Sequence, residues 1–490
     1  MSRLKSSLSL LLFAASAFAS SSCTAVQQTA NGNAATNSAN ANGNAPRPLM
    51  LGAGAPPATP CPPYPAPTPP MVDDKPNPCI PYSPSFAPGV FGGNGEIGMG
   101  AATAQPSFDV FSWRSFVALN WPADGSVIGQ NGDAPTVWET YNESYQVFLD
   151  DGSQPHWGPP VNVPAACQNA GANLPVFRMI AKVSQQVAAF NQSHGGTVLD
   201  ERGQPFKTGP LVDPHGQYVR FEISLNKETF DYIVANKLYN REGQAAFNND
   251  AGFPAGDNGN PNANPPTKPT LGSVVIKTAW RVLDPAQGDH PERYHTIKAL
   301  VYNAPSDDPP VQAQCSVQTL GLVGFHVMHK TSTAPQWIWS TFEQVDNVRA
   351  DAKANVPATF FDPKHPERKI NQPPDKPWDP SKPATPSQLV RINPIDKPTQ
   401  DLNAGWQKML SNVNPKSVWQ FYQLVSTQWP TSAKSGGFGK PAPPVLANLT
   451  LETYTQRSSS CIACHNNATQ TTGKFGDFSY LLQRAQPEKK

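Results

Sequence analysis

Leu320-Gly321-Leu322-Val323-Gly324-Phe325-His326-Val327-Met328-His329 is the stretch whose reading decides the fold. It is apolar on both faces, so it reads as a central strand covered on each side. Two strand candidates precede it, Val274 to Leu283 and Tyr294 to Tyr302, and Pro335 to Phe342 follows as another. Further upstream, Gln217 to Leu225 alternates with period two after the turn Asp213-Pro214-His215-Gly216. Asn226 then caps a short helix with Phe230, Ile233 and Val234 inward. Ser107 is positioned to cap a helix through Phe111, Trp113, Phe116, Val117 and Leu119 that ends before Pro122. Helical spacing of Trp138, Tyr141, Tyr145 and Phe148 predicts a second helix over Val137 to Leu149, its aromatic stripe serving as core. Trp406 to Trp429 also reads helical. The expected class is α+β: a β-rich core, sheet or sandwich, with flanking short helices, long proline-rich loops and a helical C-terminal segment.

Composition agrees. The chain has 490 residues, of which 55 are proline, too many for a helical bundle. Lys+Arg is 37 and Asp+Glu is 36, so no charge excess points to a nucleic-acid partner. Arg3 and Lys5, the apolar run Leu8 to Phe18 and Ala17-Phe18-Ala19 make a signal peptide over residues 1–22. Cys23 follows closely and is a candidate lipid anchor, although Ser20 stands where an aliphatic residue is usual. Residues 23–105 are expected as a disordered tether. Pro46 to Pro88 contains sixteen prolines and reads as a semi-rigid polyproline spacer. Gly93 to Gly98 matches G-x-G-x-x-G, but no strand precedes it and no helical pattern begins there, so it reads as a loop. Residues 106–400 are expected as the β-rich domain and 401–490 as the helical segment.

The chemistry lies near the C-terminus. Cys461-Ile462-Ala463-Cys464-His465 is C-x-x-C-H. Two thiols three residues apart reach the two vinyl groups of one haem, and the next residue lies under the iron as proximal ligand. With 7 Cys and 9 His in 490 residues, chance gives roughly 0.002 such matches, so the pattern is specific. A structural zinc site would need a second close pair of ligands, and Cys61, Cys79, Cys167 and Cys315 stand apart. A thioredoxin-like C-x-x-C would open a helix after a strand, whereas Ser458-Ser459-Ser460 leads in here.

On these five residues the chain resembles the c-type cytochromes. The resemblance implies one covalently attached haem c, with Cys461 and Cys464 as attachment points and His465 as proximal ligand to the iron. It departs from the common small cytochrome c domain, since 25 residues follow His465 and none is Met. Nor does it match the four-helix cytochrome c′ type, whose three preceding long amphipathic helices it lacks. The stretch Trp337 to Asn347 is similar to exported monohaem proteins and adds no function.

The sixth ligand decides whether such a haem carries electrons or performs chemistry at an open site. Candidates are His326, His329 and Met409, with Met328 and His295 also in range of the sequence argument. His326 and His329 fall on opposite faces of one strand, so both cannot bind one iron. Few apolar residues follow His465, so the haem is expected to dock on the β-rich domain. The sequence therefore predicts an exported monohaem electron carrier in the periplasm or at the outer membrane. Its partner is a redox protein or a small-molecule substrate, and it meets a membrane only through a lipid anchor. A peroxidase-like haem oxidoreductase and a binding module with structural haem stay open as alternatives. Among three pairings of the remaining cysteines, Cys61 with Cys79 and Cys167 with Cys315 is the expected one.

Overall fold

In this computed structural model the apolar run lies within β8 (Gln314–Thr331), the longest strand described. The structure describes residues 61–68, 71–86, 90, 101–129, 134–158, 179–181, 209–303, 306–307, 310–311, 314–349, 357–375, 385–431 and 440–489. In chain order the other described strands are β1 (Asn142–Glu143), β2 (Met179–Ala181), β3 (Arg220–Leu225), β4 (Val274–Val282), β5 (Thr296–Asn303), β6 (Ser306–Asp307), β7 (Pro310–Val311), β9 (Ala334–Gln344), β10 (Tyr422–Pro430) and β11 (Pro441–Ala442). The described helices are α1 (Ala101–Leu119), α2 (Ser144–Val147), α3 (Lys227–Ala235), α4 (Arg241–Phe247), α5 (Lys397–Val413) and α6 (Cys461–His465).

The fold is α+β around one large sheet, in the order β1-β3-β4-β8-β9-β10-β11, with β5 and then β2 branching from β8. Among the described pairs in it, all are antiparallel except β2–β5. Residues on β8 alternate faces. Phe325 and Val327 join Val274 and Ile276 of β4, Phe342 of β9 and the α1 residues Trp113 and Phe116 in one core. Met328 joins Val275, Trp339, Ile462 and Phe478 in a second core on the opposite face. Each large side chain so buried contributes roughly 1.5–3 kcal/mol, which is why β8 is apolar on both sides.

Gly324 lets the C-terminal segment approach the sheet. A Cβ there would lie 2.0 Å from Thr450 Oγ1 and 3.2 Å from Asn448 Oδ1. Asn448 in turn donates through Nδ2 to the Phe342 carbonyl at 2.8 Å, and the Leu449 amide donates to Glu343 Oε1 at 2.6 Å.

Several local expectations change. The helix predicted from Ser107 begins at Ala101 and runs through Pro106, because Ala104 is buried with Phe108 and Trp429. Val137 to Leu149 is not one helix. Its aromatics lie on and just after a short 3-10 turn at Trp138–Thr140, and in and just after α2, with Trp138 and Phe148 still buried. The helix of Trp406 continues only to Val413; Tyr422–Pro430 is a strand paired with β9. Val425, Thr427 and two flanking aromatics suit a pleated, covered surface better than a helix. Because β10 belongs to the central sheet, residues 401–490 are not a separate helical body, and the described residues fall in one compact unit.

The proline-rich stretch is no free spacer over its described part. Cys61 and Cys79 are joined in a disulfide, and Met71, Val72 and Ile80 pack against the α1-side core. Arg114 of α1 clamps the loop: its guanidinium grips the Asp73 carboxylate at 2.8 Å, donates to the Pro65 carbonyl and covers the Tyr64 ring at 4.5 Å. The signal peptide, Cys23, Gly93 to Gly98 and the pairing of Cys167 with Cys315 lie outside the described residues. No helix among the described residues is long and apolar enough to cross a membrane.

Candidate functional site

The C-x-x-C-H motif forms α6, one short helical turn opened by Ser460, whose side chain accepts from the Ala463 amide. Positions i, i+3 and i+4 share a helix face, so Cys461, Cys464 and His465 project together. Ile462 is buried on the sheet, and its amide donates to Gln428 Oε1 of β10 at 2.8 Å. The face of the sheet beneath carries Lys277 of β4, His326 and Met328 of β8 and Trp339 of β9, as the strand registers require.

His465 is held on three sides. Its Nδ1–H donates to the Phe478 carbonyl at 2.8 Å. The ring lies 4.4 Å from Trp339 and 5.1 Å from Tyr480, centroid to centroid. Tyr480 also donates its hydroxyl to the Cys464 carbonyl at 2.8 Å, so the 478–480 stretch is tied to the motif at two points. Burial pushes the His465 pKa down to about 4, so the imidazole is neutral at pH 7. With the proton fixed on Nδ1, the Nε2 lone pair is free to coordinate a metal.

Both thiols are free and half-buried. Burial pushes the Cys461 thiol well above its ordinary value, and Glu452 adds to the effect; Cys464 is raised for the same reasons. A redox-active dithiol needs a lowered thiol pKa, so these cysteines do not have the electrostatics of a thioredoxin-like pair. Burial also pushes Glu452 upward, but His326 and Lys277 beside it outweigh that and hold its carboxyl below the usual carboxylate range. Lys277 is lowered, by burial first. His326 Nε2 lies 3.4 Å from Glu452 Oε2, without hydrogen-bond geometry.

The histidine and methionine candidates separate cleanly. His326 and Met328 share the face of the motif. His329 is on the other face, against the ring of Phe111 at 5.4 Å. Met409 packs in the α1-side core with Trp406 and Leu410. His295 Nε2 donates to the Glu139 carboxylate at 3.0 Å, and its ring stacks on Trp419 in that same region. So His329, Met409 and His295 are not brought to the C-x-x-C-H turn. Sequence reasoning missed Lys277, Glu452, Trp339 and the Phe478 carbonyl. Lys277 carried a signal, a cation inside the mostly apolar strand Val274–Val282, which it shares with Arg281.

The donor set suits a covalently attached haem. Such a haem brings its own four equatorial nitrogens, so the chain has to supply two thiols and one neutral imidazole, and these are present. No group of three or more His, Cys, Asp or Glu side chains able to hold a metal ion occurs among the described residues. Comparison with protein-family models, curated proteins and solved structures finds no match.

Proposed function

We propose that this chain is an exported c-type cytochrome that holds one covalently attached haem and transfers electrons through it. The observation that carries the reading is the α6 turn, where Cys461, Cys464 and His465 share one face and Phe478 fixes the His465 tautomer. When bound, the haem supplies a one-electron redox centre. Cys461 and Cys464 hold it through thioethers, and His465 Nε2 is the proximal ligand. His326 is the leading sixth ligand, because it shares this face and its buried Nε2 has no hydrogen bond among the described residues. A sixth ligand from the protein favours electron transfer over chemistry at an open site. Export follows from the signal peptide, with Cys23 as the lipid anchor that keeps the protein at a membrane and a redox protein as its partner.

The test is full-length protein made with haem-maturation machinery. Wild type should stain for haem after denaturing electrophoresis, and Cys461→Ala or Cys464→Ala should greatly weaken the stain. His465→Ala should alter the spectrum or abolish maturation. A six-coordinate low-spin spectrum unmoved by carbon monoxide supports the carrier. A high-spin spectrum with ready ligand binding would instead make it a haem-dependent oxidoreductase of peroxidase-like type. A haem that neither accepts electrons nor binds ligands would be structural, and absence of stain in wild type ends the reading.

A further inference from the structure

The segment that grips His465 is itself gripped by a buried ion pair. Asp477 and Phe478 both have left-handed backbones, with φ of 52° and 63°. Such a conformation is uncommon for any residue with a side chain and a true outlier for a bulky one, so two in succession must be held by their surroundings. Three contacts hold them. The Asp477 carboxylate accepts from Lys330 Nζ and from the Phe253 amide, the latter at 2.7 Å. Trp337 Nε1 donates to the Asp477 carbonyl at 2.9 Å. The next carbonyl, that of Phe478, accepts from His465 Nδ1.

Lys330 and Trp337 stand where the β8–β9 pairing is interrupted between His329 and Thr331, and Trp337 is left-handed too, with φ of 65°. Lys330, Asp477 and Trp337 are 9%, 5% and 0% exposed. A buried ion pair is a poor source of net stability, since apolar replacements often serve as well. Its use here is geometric. We infer that Lys330, Asp477 and Trp337 are positioning residues that fix the Phe478 carbonyl on His465 Nδ1 and thereby set the reduction potential of the haem. A carbonyl held on Nδ1–H makes the imidazole a more basic ligand. That stabilises ferric iron and keeps the potential low.

This inference rests on the haem reading, and the experiment separates the two. Full-length wild type, Asp477→Asn, Lys330→Met and Trp337→Phe are matured with haem, and each midpoint potential is measured after haem stain and circular dichroism show an attached haem in a folded chain. If positioning is the mechanism, all three variants shift the potential upward, because each slackens the same turn. A direct field effect predicts otherwise: loss of the Asp477 anion raises the potential, loss of the Lys330 cation lowers it, and the neutral Trp337→Phe change leaves it in place. That second pattern overturns the inference while the haem reading stands. A wild-type chain with no covalent haem overturns both. Should a charge variant fail to fold, Trp337→Phe alone decides between a raised and an unmoved potential.

Discussion

Replacing His329 with leucine tests how the helix-covered face of the sheet is closed. His329 pairs with Val274 of β4 and Ile338 of β9, and the Phe111 ring of α1 covers it. It is 1% exposed, and neither ring nitrogen has a hydrogen bond among the described residues. Burial pushes its pKa from 6.5 down to about 3. Between those two values the unfolded chain takes up a proton that the folded chain refuses. The associated stability is fully present above pH 6.5 and is lost as pH falls toward 3. At pH 4.5 the loss amounts to about 2.7 kcal/mol, two pKa units at about 1.36 kcal/mol each. His329→Leu cannot titrate. It should therefore gain about 2.7 kcal/mol on wild type between pH 7.5 and pH 4.5. At pH 7.5 it should already gain on the order of 1 kcal/mol, since no unsatisfied nitrogen stays buried. Asp109 works the other way, because burial raises its carboxyl to about 6 and its stability contribution is lost as pH rises through that value. The difference between variant and wild type cancels Asp109 and every other distant group. Urea unfolding at both pH values, followed by tryptophan fluorescence, gives that difference from the midpoints at a shared slope. Equal acid sensitivity of the two proteins would refute the burial of a neutral, unpaired imidazole.

Three further outcomes follow from the packing. Gly324→Ala forces a methyl group against Thr450 Oγ1 and should destabilise the fold by about 1–3 kcal/mol, read as a lowered urea midpoint; an unchanged midpoint would show that the 446–454 segment is loosely seated. Cys61→Ala with Cys79→Ala opens a link of sequence separation 18 and should cost about 3 kcal/mol. If stability is unaltered, the loop clamped by Arg114 is not part of the cooperative unit. A chain starting at Leu402 keeps α6 but loses β4, β8 and β9, whose side chains line the face under the motif. It should hold no haem with the full-length spectrum and potential, and a native spectrum from that piece would show the haem unit to be autonomous.

Much of the sheet was legible because its signals are local. A ten-residue run, apolar on both faces but for two histidines, marks β8, period-two alternation marks β3, and Asn226 marks the start of α3 where its side chain accepts from the Thr229 amide. The C-x-x-C-H motif is likewise contiguous, so its chemistry is written in five adjacent residues. What tertiary structure alone decided is everything that depends on which surface faces which. Trp419, Tyr422 and Trp429 have spacings compatible with a helix, and only the unpaired edge of β9 makes 422–430 a strand. The proline stretch has no apolar pattern of its own, yet a disulfide closes its loop and Arg114 holds that loop to α1. His326 and His329 look alike in sequence, three residues apart. The sheet sends one toward His465's face and the other into an apolar core, because successive residues of a strand point to opposite sides. The partners of His465 come from Phe478, Trp339 and Tyr480, and those of Asp477 from Lys330 and Trp337. The Asp477 contacts to Lys330 and Trp337 span 140 residues and more and leave no periodicity in the chain, so folding had to assemble them.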